Sequence, residues 1–296
     1  MRAGRLAGSR NALTSALLLL PAAVLLWVFT YQPIVTTVID SFFSTARGRR
    51  PSVFIGSTHY ETMVADPVFW KALVNNAIYA FTTIPISMAL ALAMALFVSG
   101  KLRGRGIVRM AYFTPTVLPM VAVANIWLFF YTPDYGLVDQ LLRHFGGGGA
   151  NWLGSKETAL GALIVITIWK EAGFFMIFYL AALQQISPTL MEAAALEGAS
   201  PWQRFRRVTL PLLMPTTLFV SINAVIGAFR LVDHVIAMTR GGPDNATVLL
   251  LFYVYQVGFG YWDTGYAAAL TVVLLAMLAL IALFQFGYAD KRVHYR

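Results

Sequence analysis

Six long apolar stretches, at about 13–39, 72–98, 110–131, 158–182, 212–236 and 265–288, divide this chain of 296 residues. Each reaches the roughly 20 apolar residues that a helix needs to cross the hydrocarbon core of a bilayer. Inside that core every backbone N–H and C=O must be paired within the protein, which restricts the spanning forms to helices and closed barrels. The reading is an all-α integral membrane protein with six transmembrane helices, residues 1–296 forming one transmembrane domain. Composition agrees: 58% of the residues are hydrophobic and only 12% charged, against about 25% charged in soluble domains. The first apolar run, Ala12 to Ile39, exceeds the roughly 7–15 residues of a signal-peptide core and reads as an uncleaved helix. The absence of cysteine excludes disulfides, thiolate metal sites and cysteine nucleophiles.

A net charge of +9 would point to nucleic acid in a soluble protein, but here its distribution speaks of topology. With the amino terminus inside, the cytoplasmic segments carry thirteen Lys and Arg residues, from Arg2, Arg5 and Arg10 through Lys101–Arg109 and Arg204–Arg207 to Lys291, Arg292 and Arg296. The external segments carry seven, among them Arg47, Arg49 and Arg50, which run against the bias. Both termini are therefore expected in the cytoplasm, and the segment 183–211 with them. The external connections, about 40–71, 132–157 and 237–264, are longer, and the second contains the run Gly146–Gly149, too flexible for regular structure. Proline sits within spans at Pro21, Pro33, Pro85, Pro115 and Pro119; these read as simple kinks or, for Pro115 and Pro119 in the third span, as residues that shape a central pathway.

The segment 183–211 is polar and basic between two apolar stretches. Ser187-Pro188 has the chemistry of an N-cap followed by proline at the first helical position. Leu190 to Leu196 then predicts a short Ala-rich helix, with Glu192 near its start and favourable for the helix dipole. Small Ala193 and Ala194 let such a helix lie flat in a cleft of another protein, and Gly198 permits a left-handed turn. Pro201 fits the first turn of a second helix carrying Trp202, Arg204, Phe205, Arg206 and Arg207, with Leu210-Pro211 marking the return to the membrane. The spacing Glu192-Ala193-Ala194, three residues, Gly198, nine residues, Val208-Thr209-Leu210-Pro211 resembles the EAA loop of ABC importer permeases, the element that docks into the ATPase subunit. That family often has Asp-Gly where this chain has Glu197-Gly198, which keeps the charge. The competing bland reading is an interfacial amphipathic helix with snorkelling arginines.

No engine is encoded. The chain has no G-x-x-x-x-G-K-[ST] loop, no H-E-x-x-H and no G-x-S-x-G, and its histidines, His59, His144, His234 and His294, are widely separated. It is read as a transport subunit and not an enzyme, with no catalytic, cofactor or metal site. Ionisable groups within spans are functional hypotheses by default. Lys170 and Glu171 fall in the fourth span, where Lys170 faces either a subunit partner or the pathway. Arg230, Asp233 and His234 fall in the fifth, with Arg230 and Asp233 spaced to pair on one helix face as a strut, or to serve as a substrate contact or gate.

The external run Thr239-Arg240-Gly241-Gly242-Pro243-Asp244-Asn245-Ala246-Thr247 reads as a tight turn. It resembles the Thr-x-Gly-Gly-Pro-x-x-x-Thr segment of the sugar and glycerol-phosphate permease branch, the MalF/UgpA type with a MetI-like fold. Trp169-Lys170, Ala182-Leu183-Gln184, Phe229 to Asp233 and Tyr253-x-Tyr255 extend the likeness over about 165–260, and the tail Arg292-Val293-His294-Tyr295 looks most like the UgpA side. The resemblance implies a multi-pass subunit of the cytoplasmic (inner) membrane. It implies a second homologous permease as heterodimer partner, two ATPase subunits that hold ATP and Mg, an external or periplasmic substrate-binding protein, and no nucleic acid. It assigns Glu192, Ala193, Ala194, Glu197, Gly198 and Arg204 to ATPase coupling, and Lys170, Arg230, Asp233, Gly241, Gly242 and Pro243 to the pathway or gate. The implied solute is carbohydrate-like: glycerol 3-phosphate or a glycerophosphodiester, which an arginine would bind bidentately, or alternatively a neutral mono- or oligosaccharide. The competing class is a self-contained ion-coupled secondary transporter, for which only Glu171 and Asp233 offer carboxylates within spans.

Overall fold

The computed structural model describes residues 3–100, 103–147 and 149–289. Arg2, Lys101, Lys291, Arg292, Arg296 and the tail Arg292–Tyr295 lie outside the described residues. Helices follow one another along the whole chain, with no strand among the described residues. In order they are α1 (Ala3–Leu26), a π-turn (Trp27–Tyr31), α2 (Gln32–Asp40), α3 (Thr58–Ala65), α4 (Pro67–Ser99), α5 (Arg105–Val117), α6 (Met120–Phe130), α7 (Leu137–His144) and α8 (Ala159–Gln185). They continue as α9 (Pro188–Leu196), α10 (Pro201–Arg204), a π-turn (Phe205–Thr209), α11 (Leu210–Leu212), α12 (Met214–Arg230), α13 (Asp233–Met238), α14 (Leu250–Tyr255), a π-turn (Gln256–Gly260) and α15 (Thr264–Ala289).

Five of the six expected spans are helices long and apolar enough to cross a membrane: Thr14–Asp40, Pro67–Ser99, Ala159–Gln185, Met214–Met238 and Thr264–Gly287. The expected third span, 110–131, is not one straight helix. It is α5 and α6, bent by 102° at Leu118-Pro119, and six spans result when the bent pair is counted as one. The cause is local: Pro119 has no N–H to give the Pro115 carbonyl, and Pro115 gives none to its own preceding turn. The fifth span is also interrupted, where Leu231 adopts an extended conformation between α12 and α13.

The chain forms two compact units, residues 1–65 with 254–273, and residues 66–253 with 274–296. The first contains the opening span, none of whose central window is buried, and a hairpin-like finger in which Phe43 bridges Phe54 and Arg47 bridges Arg50. The second holds the main core. There α4 packs along α8, with Ala91, Ala95 and Val98 against Phe175, Met176 and Tyr179. Small alanines let the two backbones approach, which drives helix association where lipid offers no hydrophobic contrast. Gly173 carries this furthest towards α5: a Cβ there would lie 2.2 Å from the Tyr112 carbonyl oxygen. A second cluster, Met120, Val123, Tyr131, Ala162 and Ile166, seats α6, and α6 and α13 pack on each other.

Candidate functional site

The EAA-like segment folds as two short helices joined by a designed stop. Ser187 sits at the N-cap of α9 in extended conformation with Pro188 following, although its hydroxyl meets Thr189 Oγ1 at 2.7 Å and makes no cap bond. The helix ends in a reciprocal pair of bonds, Ala199 N–H to the Ala194 carbonyl and Gly198 N–H to that of Ala195, each 3.0 Å. Gly198 stands at φ +81°, a left-handed conformation that glycine adopts without strain, which accounts for glycine at this turn. One expectation is corrected here. Because α9 begins at Pro188, Glu192 lies in its second turn and no acidic residue occupies the first, so the dipole gives it little.

The second helix opens on a capping box that sequence reasoning missed: the Ser200 hydroxyl accepts from Gln203 N–H at 3.3 Å, and Ser200 N–H donates to Gln203 Oε1 at 2.8 Å. The signal was present as Ser-x-x-Gln. The helix does not stop at Leu210-Pro211 but widens into a π-turn over Phe205–Thr209 and continues through α11. No residue of α9 or α10 is buried. Leu196 is 90% exposed and Trp202 66%, while Glu192 and Glu197 make no ion pair among the described residues. Arg204 is half-buried, its Nε without a partner. A rigidly capped unit thus presents apolar and acidic side chains outward, the composition of a docking surface.

Within the second unit the polar groups of the spans are organised around the middle of α8. The Lys170 ammonium donates to three carbonyls, Leu118 at 2.7 Å, Pro115 at 3.1 Å and Thr116 at 3.3 Å. It therefore caps the carboxyl end of α5 where the third span breaks, supplying the donors that Pro119 withholds. One turn earlier, the Thr167 hydroxyl donates to the Leu163 carbonyl at 3.0 Å and so accepts from the Tyr79 hydroxyl at 2.6 Å. Tyr79 in turn accepts from His234 Nε2 at 3.1 Å, which leaves Nδ1 the unprotonated nitrogen, buried and without a partner. This chain anchors α13 to α4 and α8. Glu171 turns the other way, into a small cavity lined also by Thr83, Ser87, Thr167 and Gly227, where the buried Ser87 hydroxyl has no partner.

Arg230 and Asp233 do not pair. The interruption at Leu231 separates them, both are exposed, and no ion pair joins them.

The glycine-rich turn is a built latch. Gly241 has φ +85°, and a Cβ on it would meet Phe252 Cε1 at 2.7 Å and Val248 Cγ2 at 2.8 Å. The buried Thr247 hydroxyl donates to the Gly242 carbonyl at 2.7 Å and lies 2.8 Å from Thr239 Oγ1, which explains threonine at both ends of the motif. Asn75 on α4 donates to the carbonyls of Asn245 at 2.9 Å and Val248 at 3.0 Å, and Asn76 Oδ1 accepts from Leu250 N–H at 3.2 Å. These amides were legible as adjacent polar residues in an apolar run, yet sequence reasoning passed over them. Beside the turn opens a cleft of about 680 Å³ lined by Lys71, Asn75, Lys156, Glu157 and Asp244. Lys156 bonds Asp244 at 2.6 Å across it, which holds the carboxyl below and the ammonium above their ordinary pKa ranges. Among the described residues no cluster of His, Cys, Asp or Glu could hold a metal.

A family model described as "Binding-protein-dependent transport system inner membrane component" matches residues 84–295. The chain is 35% identical to the lactose transport system permease protein LacF of Rhizobium radiobacter, over 92% of each chain. It is 34% identical to the sulfoquinovosyl glycerol transport system permease protein SmoG of Agrobacterium fabrum, over 90% of this chain and 87% of that one. To the sn-glycerol-3-phosphate transport system permease protein UgpA of the same organism it is 30% identical, over 96% and 97%. Among solved structures, a chain of a bacterial alginate ABC transporter in complex with its pentasaccharide-bound periplasmic protein shares the fold, with a TM-score of 0.84 at 24% identity over 96% of each chain.

Proposed function

The chain belongs to the family of binding-protein-dependent transport system inner membrane components, and from that membership we infer that it is one permease subunit of an ATP-driven importer for a carbohydrate-type solute. Its helical membrane architecture and its sugar and glycerol-3-phosphate permease relatives agree. Residues 1–296 act as a single permease domain with both termini in the cytoplasm, and the sequence element 183–211 on the same side. ATP and Mg belong to two partner ATPase subunits, and this chain supplies no cofactor site. A homologous permease completes the pathway, and an external binding protein delivers solute.

The observation that carries this reading is the capped α9–α10 unit, which offers Glu192, Ala193, Glu197, Leu196 and Trp202 to a partner. The hydrogen-bonded stop of α9 and the capping box of α10 make it a lever: movement of an ATPase cleft passes through the π-turn that follows α10 towards α11 and α12. Lys170 serves the pathway indirectly, as the cap of the broken span. Gly241, Gly242 and Pro243 serve it as a latch on α4. For the solute, Arg230 stands free of Asp233, which favours a phosphate-bearing molecule such as glycerol 3-phosphate or a glycerophosphodiester. The second reading, a neutral mono- or oligosaccharide, is supported by the likeness to the lactose permease protein LacF.

Uptake by proteoliposomes holding this chain with its co-encoded partners tests the reading. ATP-dependent accumulation of glycerol 3-phosphate over neutral oligosaccharides supports the first solute, and the reverse supports the second. Accumulation by this chain alone, abolished by a gradient-collapsing ionophore without ATP, would establish the secondary-transporter class instead.

A further inference from the structure

Arg47, Arg49 and Arg50 stand out as charges on the wrong side for the orientation that the rest of the chain sets. They are the tip of the finger in the first unit. Its two arms are joined by Ser44 N–H to the Val53 carbonyl at 2.8 Å and Ile55 N–H to that of Phe42 at 2.9 Å. At the tip Arg47 and Arg50 exchange N–H to carbonyl bonds of 3.2 and 3.0 Å around Gly48, which takes φ +59°. The base is bolted down: Thr45 donates to Asp263 at 2.6 Å and accepts from Gly265 N–H at 2.8 Å. A Cβ on Gly265 would lie 2.5 Å from the Phe43 carbonyl oxygen. The finger is therefore a fixed platform.

All three arginines are exposed. Only Arg47 reaches a carboxylate among the described residues, Asp263 at 3.4 Å with its own side chain 70% exposed. The finger follows the first span and the EAA-like loop follows the fourth. Three crossings lie between them when the bent pair counts as one, which makes the finger external in the orientation proposed above. The tip from Ala46 to Ser52 includes no large apolar side chain; exposed Val53 and Phe54 lie on the arm that follows it. All three cations are Arg, whose planar fork matches carboxylates in bidentate fashion.

We propose that this tri-arginine finger is a docking contact for an acidic surface of the external solute-binding protein. The proposal rests on the importer reading above. Rim charges of this kind act chiefly by steering encounter and setting its salt dependence, so the effect falls on the concentration of binding protein required.

The test uses the complete assembly in nanodiscs of zwitterionic lipid, with ATP hydrolysis followed as solute-loaded binding protein is titrated. In the double variant Arg49→Glu, Arg50→Glu the half-saturating concentration rises by about tenfold or more, and the rise shrinks as added salt shortens the screening length to about 3 Å near 1 M. Arg49→Lys, Arg50→Lys retains most of the wild-type affinity, and co-purification of all subunits checks assembly. Because the chain has no cysteine, a photocrosslinker placed through Arg49→Cys should capture the binding protein. An unchanged titration overturns the proposal, as does a crosslink confined to lipid or a defect seen only with anionic lipid. A wild-type assembly that binding protein never stimulates would instead refute the importer reading.

Discussion

Replacing Lys170 with methionine removes the donor from the Pro115, Thr116 and Leu118 carbonyls while keeping an unbranched side chain one atom shorter. A buried acceptor left unsatisfied costs about 1–3 kcal/mol, so three together disfavour the bent form by about 3 kcal/mol or more. Against this, an ammonium in a transmembrane helix itself costs about 2.5–3.5 kcal/mol on insertion scales, and the methionine variant escapes that. The second term offsets part of the first in overall stability. They do not cancel in geometry, because only the bent third span uses these donors. A preference of about 2 kcal/mol changes a conformer ratio by about thirtyfold. Uptake in proteoliposomes should thus fall by at least about tenfold while the subunit still assembles. A cysteine introduced at exposed Val121 on α6, in a chain otherwise free of cysteine, should change its maleimide accessibility. Lys170→Arg, which keeps donors, should recover part of both. Wild-type uptake and unchanged labelling in Lys170→Met would refute the reasoning.

Gly173→Ala sets a methyl 2.2 Å from the Tyr112 carbonyl oxygen; since the obstacle is backbone, α5 and α8 must part, and a destabilisation of about 1–3 kcal/mol should appear in thermal unfolding of the detergent-solubilised assembly. Tyr79→Phe breaks the relay from His234 to Thr167 and strands a buried N–H, costing about 1–3 kcal/mol; faster hydrogen exchange in α13 checks it. Asp139 is buried and accepts from Asp134 N–H at 2.9 Å and Trp152 Nε1 at 2.6 Å, which hold its carboxyl below the ordinary value. A depressed folded pKa gives stability that is present above the unfolded carboxylate value of about 3.9 and is lost as pH falls through the folded one. Amide protection over 134–152 should therefore persist to pH 4, decline only below it, and become independent of pH in Asp139→Asn.

The spans were legible because lipid admits so few solutions: apolar length alone located all six stretches, the third of them as a bent pair, with ends off by up to five residues. The turn at Gly198 and the latch at Gly241 were also readable, since positive φ favours glycine at both and a Cβ at Gly241 would also clash with Phe252 and Val248. The bend was only half legible. Pro115 and Pro119 announced a break, but a sequence cannot show that Lys170, some fifty residues later, supplies the missing donors. The same distance hid the Asn75–Asn245 and Tyr79–His234 bonds. Spacing suggested an Arg230–Asp233 pair on the assumption of an unbroken helix, and the interruption at Leu231 removes that assumption. Local chemistry is written in neighbouring residues; partners brought together by the packing of α4 on α8 are not.

The central claim is that the capped α9–α10 unit transmits force from an ATPase. Gly198→Val forces a β-branched residue into φ +81°, whereas Gly198→Asn places there a residue that tolerates the left-handed region. The direct measurement is co-purification of the ATPase subunits with each variant, alongside ATP-driven uptake. The account predicts that valine abolishes both association and uptake while the permease remains folded in the membrane, and that asparagine retains most of each. Full association and uptake with valine at this position would contradict it.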